Sequence, residues 1–207
     1  MNGDMTWTDP ALGLLAEIGN VGAGHAATAL SMLVQDRVNI SVTQTRVCRF
    51  CEIPDIVGGA ERMTAAVVLR LEGDLTGNMM FLLPVAAAKR LVRRMFGTGE
   101  DELDEDFTEM ELSALSEAGN ILGGSYVTAV TGLTGLHLNQ SVPAVAVDMA
   151  GAILGTVLTD TGQTADQAVV IRTSIRQGVT DVEGHLFVLP DPDGVETLFR
   201  ALGWPYE

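Results

Sequence analysis

Lysine is all but missing from this chain of 207 residues. Lys89 is the single example, and 12 basic residues face 27 acidic ones for a net charge of −15. So acidic a protein repels phosphate backbones, which argues against nucleic-acid binding. Aromatic residues are scarce too, at 5%. The core must therefore be built from Val, Leu, Ile, Ala and Met, which a hydrophobic content of 47% supplies. No long apolar run is present. The nearest, "VPAVAVDMAGAILGTVL", is broken by Pro143, Asp148 and two glycines. It falls short of the roughly 18 clean apolar residues of a spanning helix. No basic-then-apolar leader opens the chain, which begins "MNGDMTWTDP". A cytoplasmic protein with no membrane insertion is expected.

Cysteine and histidine are equally sparse. "CRFC" at 48–51 is a lone pair, and a zinc site needs two more ligands. His25, His137 and His185 do not stand at paired spacing. A redox Cys-x-x-Cys opens a helix beside a strand–helix–strand unit. This pair is expected in a loop before "EIPD", as two ordinary thiols. No metal site and no Ser/His/Asp or Cys/His set can be named from spacing. The Lys-poor, acid-rich balance also suggests a high-salt cytoplasm, where the Debye length falls to about 3 Å at 1 M and self-repulsion is screened. Stability is then expected to rise between low salt and molar KCl; a flat response refutes the saline origin.

What the chain does have is a repeat. Shifted by 100 residues, "LGLLAEIGNVGAGHAATALSMLVQDRVNISV" (12–42) falls on "LSALSEAGNILGGSYVTAVTGLTGLHLNQSV" (112–142), with 12 of 31 positions identical. The matches include Glu17/Glu117, Gly19/Gly119, Asn20/Asn120, Gly24/Gly124 and Thr28/Thr128. "AVVLR" (66–70) then mirrors "AVVIR" (168–172), and "GNMMFLLP" (77–84) mirrors "GHLFVLP" (184–190). Each half reads as long helix, strands, short helix. Helical periodicity covers about 11–33 and 108–132, and Thr108 with Glu111 has the form of a capping box. "TAAVVLRLEG", "NMMFLLP", "AVVIRTSI" and "HLFVLP" read as strands, and "VAAAKRLVRRMFG" as a helix with basic residues at its end. The expected fold is α+β. Duplicated halves (about 11–97 and 108–203) are related by a pseudo-two-fold, in one domain over 1–207. A mixed or antiparallel sheet carries two long helices and shorter ones. "GTGEDELDEDF" (97–107) reads as an acidic, solvated linker without catalytic weight.

"GNVGAG" (19–24) does not suit a phosphate loop, because its glycines lie inside a helical pattern. The repeated Glu-x-x-Asn is more informative. Ser113, Glu117 and Asn120 advance by four and three and share a helix face. Leu112, Leu115, Ala118 and Leu122 occupy another face, expected on the sheet. The polar stripe then points outward. Gly119, Gly123 and Gly124 lie beside it, each at about 1 kcal/mol of helix propensity relative to Ala. Small residues at that cost suggest close approach of another surface. A solvent-facing polar pair beside packing glycines is the plain alternative.

At these residues the chain resembles the CheC family of chemotaxis phosphatases, relatives of CheX and FliY. The family pattern, Asp or Ser, then Glu, Asn and Pro, is met at full spacing by Ser113, Glu117, Asn120 and Pro143. The resemblance implies dephosphorylation of a CheY-type response regulator that carries an aspartyl phosphate. Asn120 would orient a hydrolytic water, and Glu117 would hold a cation of the regulator. Ser113, Gly119, Gly123 and Gly124 would meet the partner, and Pro143 would support the motif. No cofactor of its own is implied; Mg²⁺ comes with the regulator. The resemblance implies a second site at Glu17 and Asn20, expected to be weaker because Gly13 and Thr43 replace Ser and Pro. Loss of Pro is expected to loosen the start of the following strand. The resemblance also implies CheD, a receptor deamidase, as a partner, and a CheD-binding module with weak or no phosphatase activity is the rival function. A FliY-type motor component ranks below both, since such proteins carry an additional C-terminal switch domain.

Overall fold

The computed structural model describes residues 9–97, 106–161, 167–177, 180–201 and 203. Of the acidic segment 97–107, residues 98–105 lie outside this description. The first half runs α1 (Asp9–Val34), β1 (Val38–Arg49), a 3-10 turn (Phe50–Glu52), α2 (Ile53–Ile56), β2 (Met63–Gly73), β3 (Gly77–Pro84) and α3 (Val85–Met95). The second runs α4 (Glu109–Thr134), β4 (Leu138–Gln140), β5 (Ala144–Met149), α5 (Ala150–Thr161), β6 (Gln167–Gln177), β7 (Thr180–Pro190) and α6 (Pro192–Ala201). Both long helices extend the sequence periodicity by a residue or two.

Among the described residues seven strands form one sheet in the order β1-β6-β7-β3-β2-β4, with β5 also on β2. Every pair is antiparallel. The central partners β3 and β7 come from different halves. So do the outer ones: β1 pairs with β6, while β4 and β5 pair with β2. Each half thus lends its first strand to the other, and neither completes its sheet alone.

Strand alternation divides the core between the two sheet faces. Val67, Leu69, Met79 and Phe81 turn toward Leu15, Ile18, Leu115 and Leu122 of the long helices. Ala66, Met80, Leu82 and Phe187 turn the other way, against Ile53, Ile153 and Leu154. Because β3 is covered on both faces, "GNMMFLLP" reads as a continuous apolar run rather than an alternation.

The pattern leaves β1, β4, β5 and α5 unannounced. β1 is an edge strand whose Asn39, Ser41, Thr43, Gln44 and Arg49 are exposed, and β4 has only three residues. The broken apolar stretch 144–158 divides between β5 and α5. The cysteines are not in a loop either. Cys48 is buried near the end of β1, which stays paired with β6 to Arg49, and Cys51 is exposed in the 3-10 turn. Both thiols are free, and burial pushes that of Cys48 up to about 11, so it is protonated and inert at neutral pH.

The start of α4 is fastened twice. Thr108 and Glu111 form the capping box, Thr108 N donating to Glu111 Oε2 at 2.8 Å. The same oxygen accepts from Lys89 Nζ of α3 at 2.9 Å. Lys89 is 2% exposed. Its ammonium also donates to the Asp106 carbonyl and lies 4.4 Å from the centroid of the Phe107 ring. The only lysine is therefore a clamp on the helix that carries Ser113, Glu117 and Asn120. At the other end, Gly135 caps α4 at φ 73°, its N–H donating to Thr131 O at 2.9 Å.

Candidate functional site

Burial along α1 and α4 settles which way the polar stripes face. Leu115, Ala118 and Leu122 are buried against the sheet, while Ser113, Glu117 and Asn120 are exposed. On α1, Ile18 and Ala26 are buried and Glu17, Asn20, Gly24 and Thr28 are exposed. Each long helix thus presents one Glu–Asn pair to solvent, one turn apart. Glu117 and Glu17 have no hydrogen-bond or ionic partner among the described residues. Ser113 donates its hydroxyl to Glu109 O at 2.9 Å, within its own helix.

The glycines divide differently from expectation. Gly119 and Gly123 are buried and cannot meet another protein, because they face the chain's own sheet. A Cβ on Gly119 would lie 2.3 Å from Val67 Cγ1, and one on Gly123 would lie 2.5 Å from Gln140 Oε1. The close approach bought by these helix-weakening residues is intramolecular. Only Gly124 fits the outward role: it is half-buried, and the nearest atom to an added Cβ is Gln140 Nε2 at 3.8 Å. The helices also meet each other through a glycine, since a Cβ on Gly22 would come 2.6 Å from Tyr126 Cδ1. Gly119→Ala is accordingly expected to destabilise by about 1–3 kcal/mol through overpacking. Chemical denaturation of the variant checks this.

The Pro143 position differs between the halves in an unexpected direction. Pro143 lies in the break 141–143 between β4 and β5, where Ser141 Oγ accepts from Arg70 N and Ser141 N donates to Arg70 O, each at 2.9 Å. Its counterpart Thr43 sits at a register irregularity of β1, between Val42 and Gln44. β1 continues through that point to Arg49. Threonine retains an N–H and can remain in a strand, so loss of the proline lengthens the strand rather than loosening its start.

One neighbour of the site was not singled out from sequence. Gln140 of β4 donates from Nε2 to Asn120 Oδ1 at 2.8 Å and to Asn120 O at 3.0 Å. The signal was available in the repeat, where Gln140 falls on Ile40. Val142, 87% exposed, lies just beyond Gln140, and Met110, 68% exposed, lies one turn before Ser113. Among the described residues no group of three or more His, Cys, Asp or Glu is placed to hold a metal ion, and no helix is long and apolar enough to cross a membrane. His185 is buried in β7, where burial first and then Arg172 depress its imidazole, so it is neutral at pH 7.

Fold and site together define a duplicated α+β protein that displays an exposed carboxylate–carboxamide pair on each of two sheet-covering helices. The chain belongs to the CheC-like family, whose model matches residues 12–42 and 110–147, one segment in each half. It is 42% identical over 195 residues to the CheY-P phosphatase CheC of Bacillus subtilis (strain 168), with 92% of each chain covered. Among solved structures it is similar to Thermotoga maritima FliY, with a TM-score of 0.81 at 22% identity, covering 96% of this chain and 98% of that one. It is also similar to a chain of the CheX–CheY–BeF3–Mg²⁺ complex of Borrelia burgdorferi, at a TM-score of 0.50 and 15% identity, covering 82% of this chain and 96% of that one.

Proposed function

We propose that this protein is a phosphatase that hydrolyses the aspartyl phosphate of a CheY-type response regulator in the cytoplasm. The observation that carries this is the exposed Glu117–Asn120 pair on α4, in a chain 42% identical to a CheY-P phosphatase over 92% of its length. An aspartyl phosphate is an acyl phosphate, so its leaving group is already good. Water attacks phosphorus in line. The bond from phosphorus to the aspartyl oxygen breaks, its electron pair stays on the carboxylate, and the proton of the water passes to solvent. The products are aspartate and inorganic phosphate.

The chain's own contribution is positioning. A carboxamide both donates and accepts hydrogen bonds, so Asn120 can hold a water against the phosphoryl oxygens without charge repulsion. Gln performs the same task in small GTPases. A carboxylate at that place would be repelled, and Glu117 instead binds a cation of the regulator, most simply its active-site lysine. Mg²⁺ belongs to the regulator, and this chain brings no cofactor of its own. Glu17 and Asn20 provide a second and weaker site.

Phosphorylating a CheY-type regulator, adding this protein at molar salt and following phosphate decay tests the proposal. Acceleration is expected. No acceleration together with tight CheD binding would make the chain a CheD-binding module instead. Glu117→Ala is expected to raise KM about tenfold with a smaller change in kcat, the size of one solvent-screened charge-assisted hydrogen bond. A fall in kcat alone would refute its partner-binding role.

A further inference from the structure

The two Glu–Asn pairs differ in one respect outside the family pattern. Asn120 is held by a side chain from the sheet, and Asn20 has no such partner among the described residues. Gln140 Nε2 lies 3.0 Å from Asn120 O and 2.8 Å from Asn120 Oδ1. The first contact fixes the orientation of the glutamine amide, because a backbone carbonyl only accepts; the atom facing it must be the NH₂. The second N–H of that NH₂ then requires an acceptor, which fixes Asn120 with Oδ1 toward Gln140. The Nδ2 group of Asn120 is left as the free end, with two N–H donors, while Oδ1 keeps a second lone pair.

This arrangement needs two residues that the first half lacks. Gln140 reaches Asn120 only because position 123 is glycine, since a Cβ there would lie 2.5 Å from Gln140 Oε1. In the first half the corresponding residues are Ala23 and Ile40. Ala23 is buried, and Ile40 packs against the apolar core beneath the long helices. The glutamine also carries a stability defect: its Oε1 is buried without a hydrogen-bond partner among the described residues. A buried unpaired acceptor destabilises a fold. Its presence beside Asn120, and not beside Asn20, points to a task other than packing.

We propose that Gln140 is a positioning residue for Asn120, made possible by Gly123, and that the Ile40/Ala23 pair is what leaves Asn20 the weaker partner. This rests on the phosphatase function proposed above. Gln140 clamps the Asn120 carboxamide in one orientation before the regulator docks. Binding then does not have to select that orientation from several, and the water meets a preset donor and acceptor.

The test uses Gln140→Met, which nearly preserves volume and removes the donor. In the phosphate-decay assay kcat is expected to fall about five- to tenfold, the rate equivalent of one hydrogen bond, with KM unchanged. Its melting temperature is expected to stay level or rise, because the unpaired Oε1 disappears. A fall in melting temperature with unchanged kcat would show a merely structural role and overturn the proposal. The converse variant, Ala23→Gly with Ile40→Gln in an Asn120→Ala background, is expected to raise the residual activity; no gain in a folded variant counts against it. A third measurement does not depend on turnover. By NMR relaxation the side-chain amide of Asn120 is expected to be rigid in the wild type, looser in Gln140→Met, and more ordered than that of Asn20. Equal mobility of Asn120 and Asn20 overturns the proposal even if the wild type proves inactive, an outcome that would refute the phosphatase function separately.

Discussion

Asn120→Ala is expected to slow dephosphorylation of the regulator by on the order of 10²–10³-fold, the loss associated with removing one preorganised polar group. The fold is expected to survive, because Asn120 is exposed and its side chain bonds only Gln140 among the described residues. Asn20→Ala is expected to cost less. Beside Asn20, Gly13 replaces the serine and Thr43 the proline of the pattern, and Ile40 stands where Gln140 holds Asn120. Single-turnover decay of the phosphorylated regulator with each variant decides the ranking. Equal losses from the two substitutions would refute it.

Glu111→Ala is expected to destabilise the protein by about 3–5 kcal/mol, since it leaves a buried ammonium without its carboxylate. Lys89 is 2% exposed and the Glu111 side chain 13%. Among the described residues the remaining contacts of Lys89, the Asp106 carbonyl and the Phe107 ring, do not neutralise its charge. Removing both charges in Lys89→Met/Glu111→Gln is expected to recover most of the loss, because charge and countercharge leave together. Denaturant titration of the single and double variants measures this. The pH dependence has a defined sign. Burial alone would raise the Glu111 carboxyl, but the Thr108 N–H and the Lys89 ammonium outweigh it and hold the group below its usual range. Its folded value is thus depressed relative to the unfolded chain. The stability it contributes is complete above about pH 4.3 and is lost as pH falls through the folded value. Glu111→Ala is expected to show a shallower acid limb than the wild type.

The parts legible in sequence were those with period or repetition. The apolar residues of α1 and α4 recur at helical spacing, and the central strands β2, β3, β6 and β7 are apolar enough to announce themselves. The capping box at Thr108 and Glu111 needs only a local pattern, and it is present. The edge strands did not stand out because one side of each faces water, so β1 mixes exposed Asn39, Ser41 and Gln44 with its apolar residues. The glycines misled for a related reason. A pattern shows that position 119 must be small, but whether a partner or Val67 fills the space is a matter of three-dimensional placement.

By itself the sequence determined the duplication, the outward Glu–Asn pair on each long helix, the acidity that argues against nucleic acid, and the family. All of these depend on residues near one another in the chain or on composition. Tertiary structure decided how the halves share one sheet, which glycines serve packing, and that Gln140 bonds Asn120 while no side chain does so for Asn20 among the described residues. The strand exchange brings β1 to β6, and β4 and β5 to β2, across long stretches of chain. Gln140 meets Asn120 only because β4, at the edge of that sheet, runs beneath a helix thinned at Gly123. A hydrogen bond of 2.8 Å between residues 20 positions apart has no period to betray it. It exists only once helix and strand have packed.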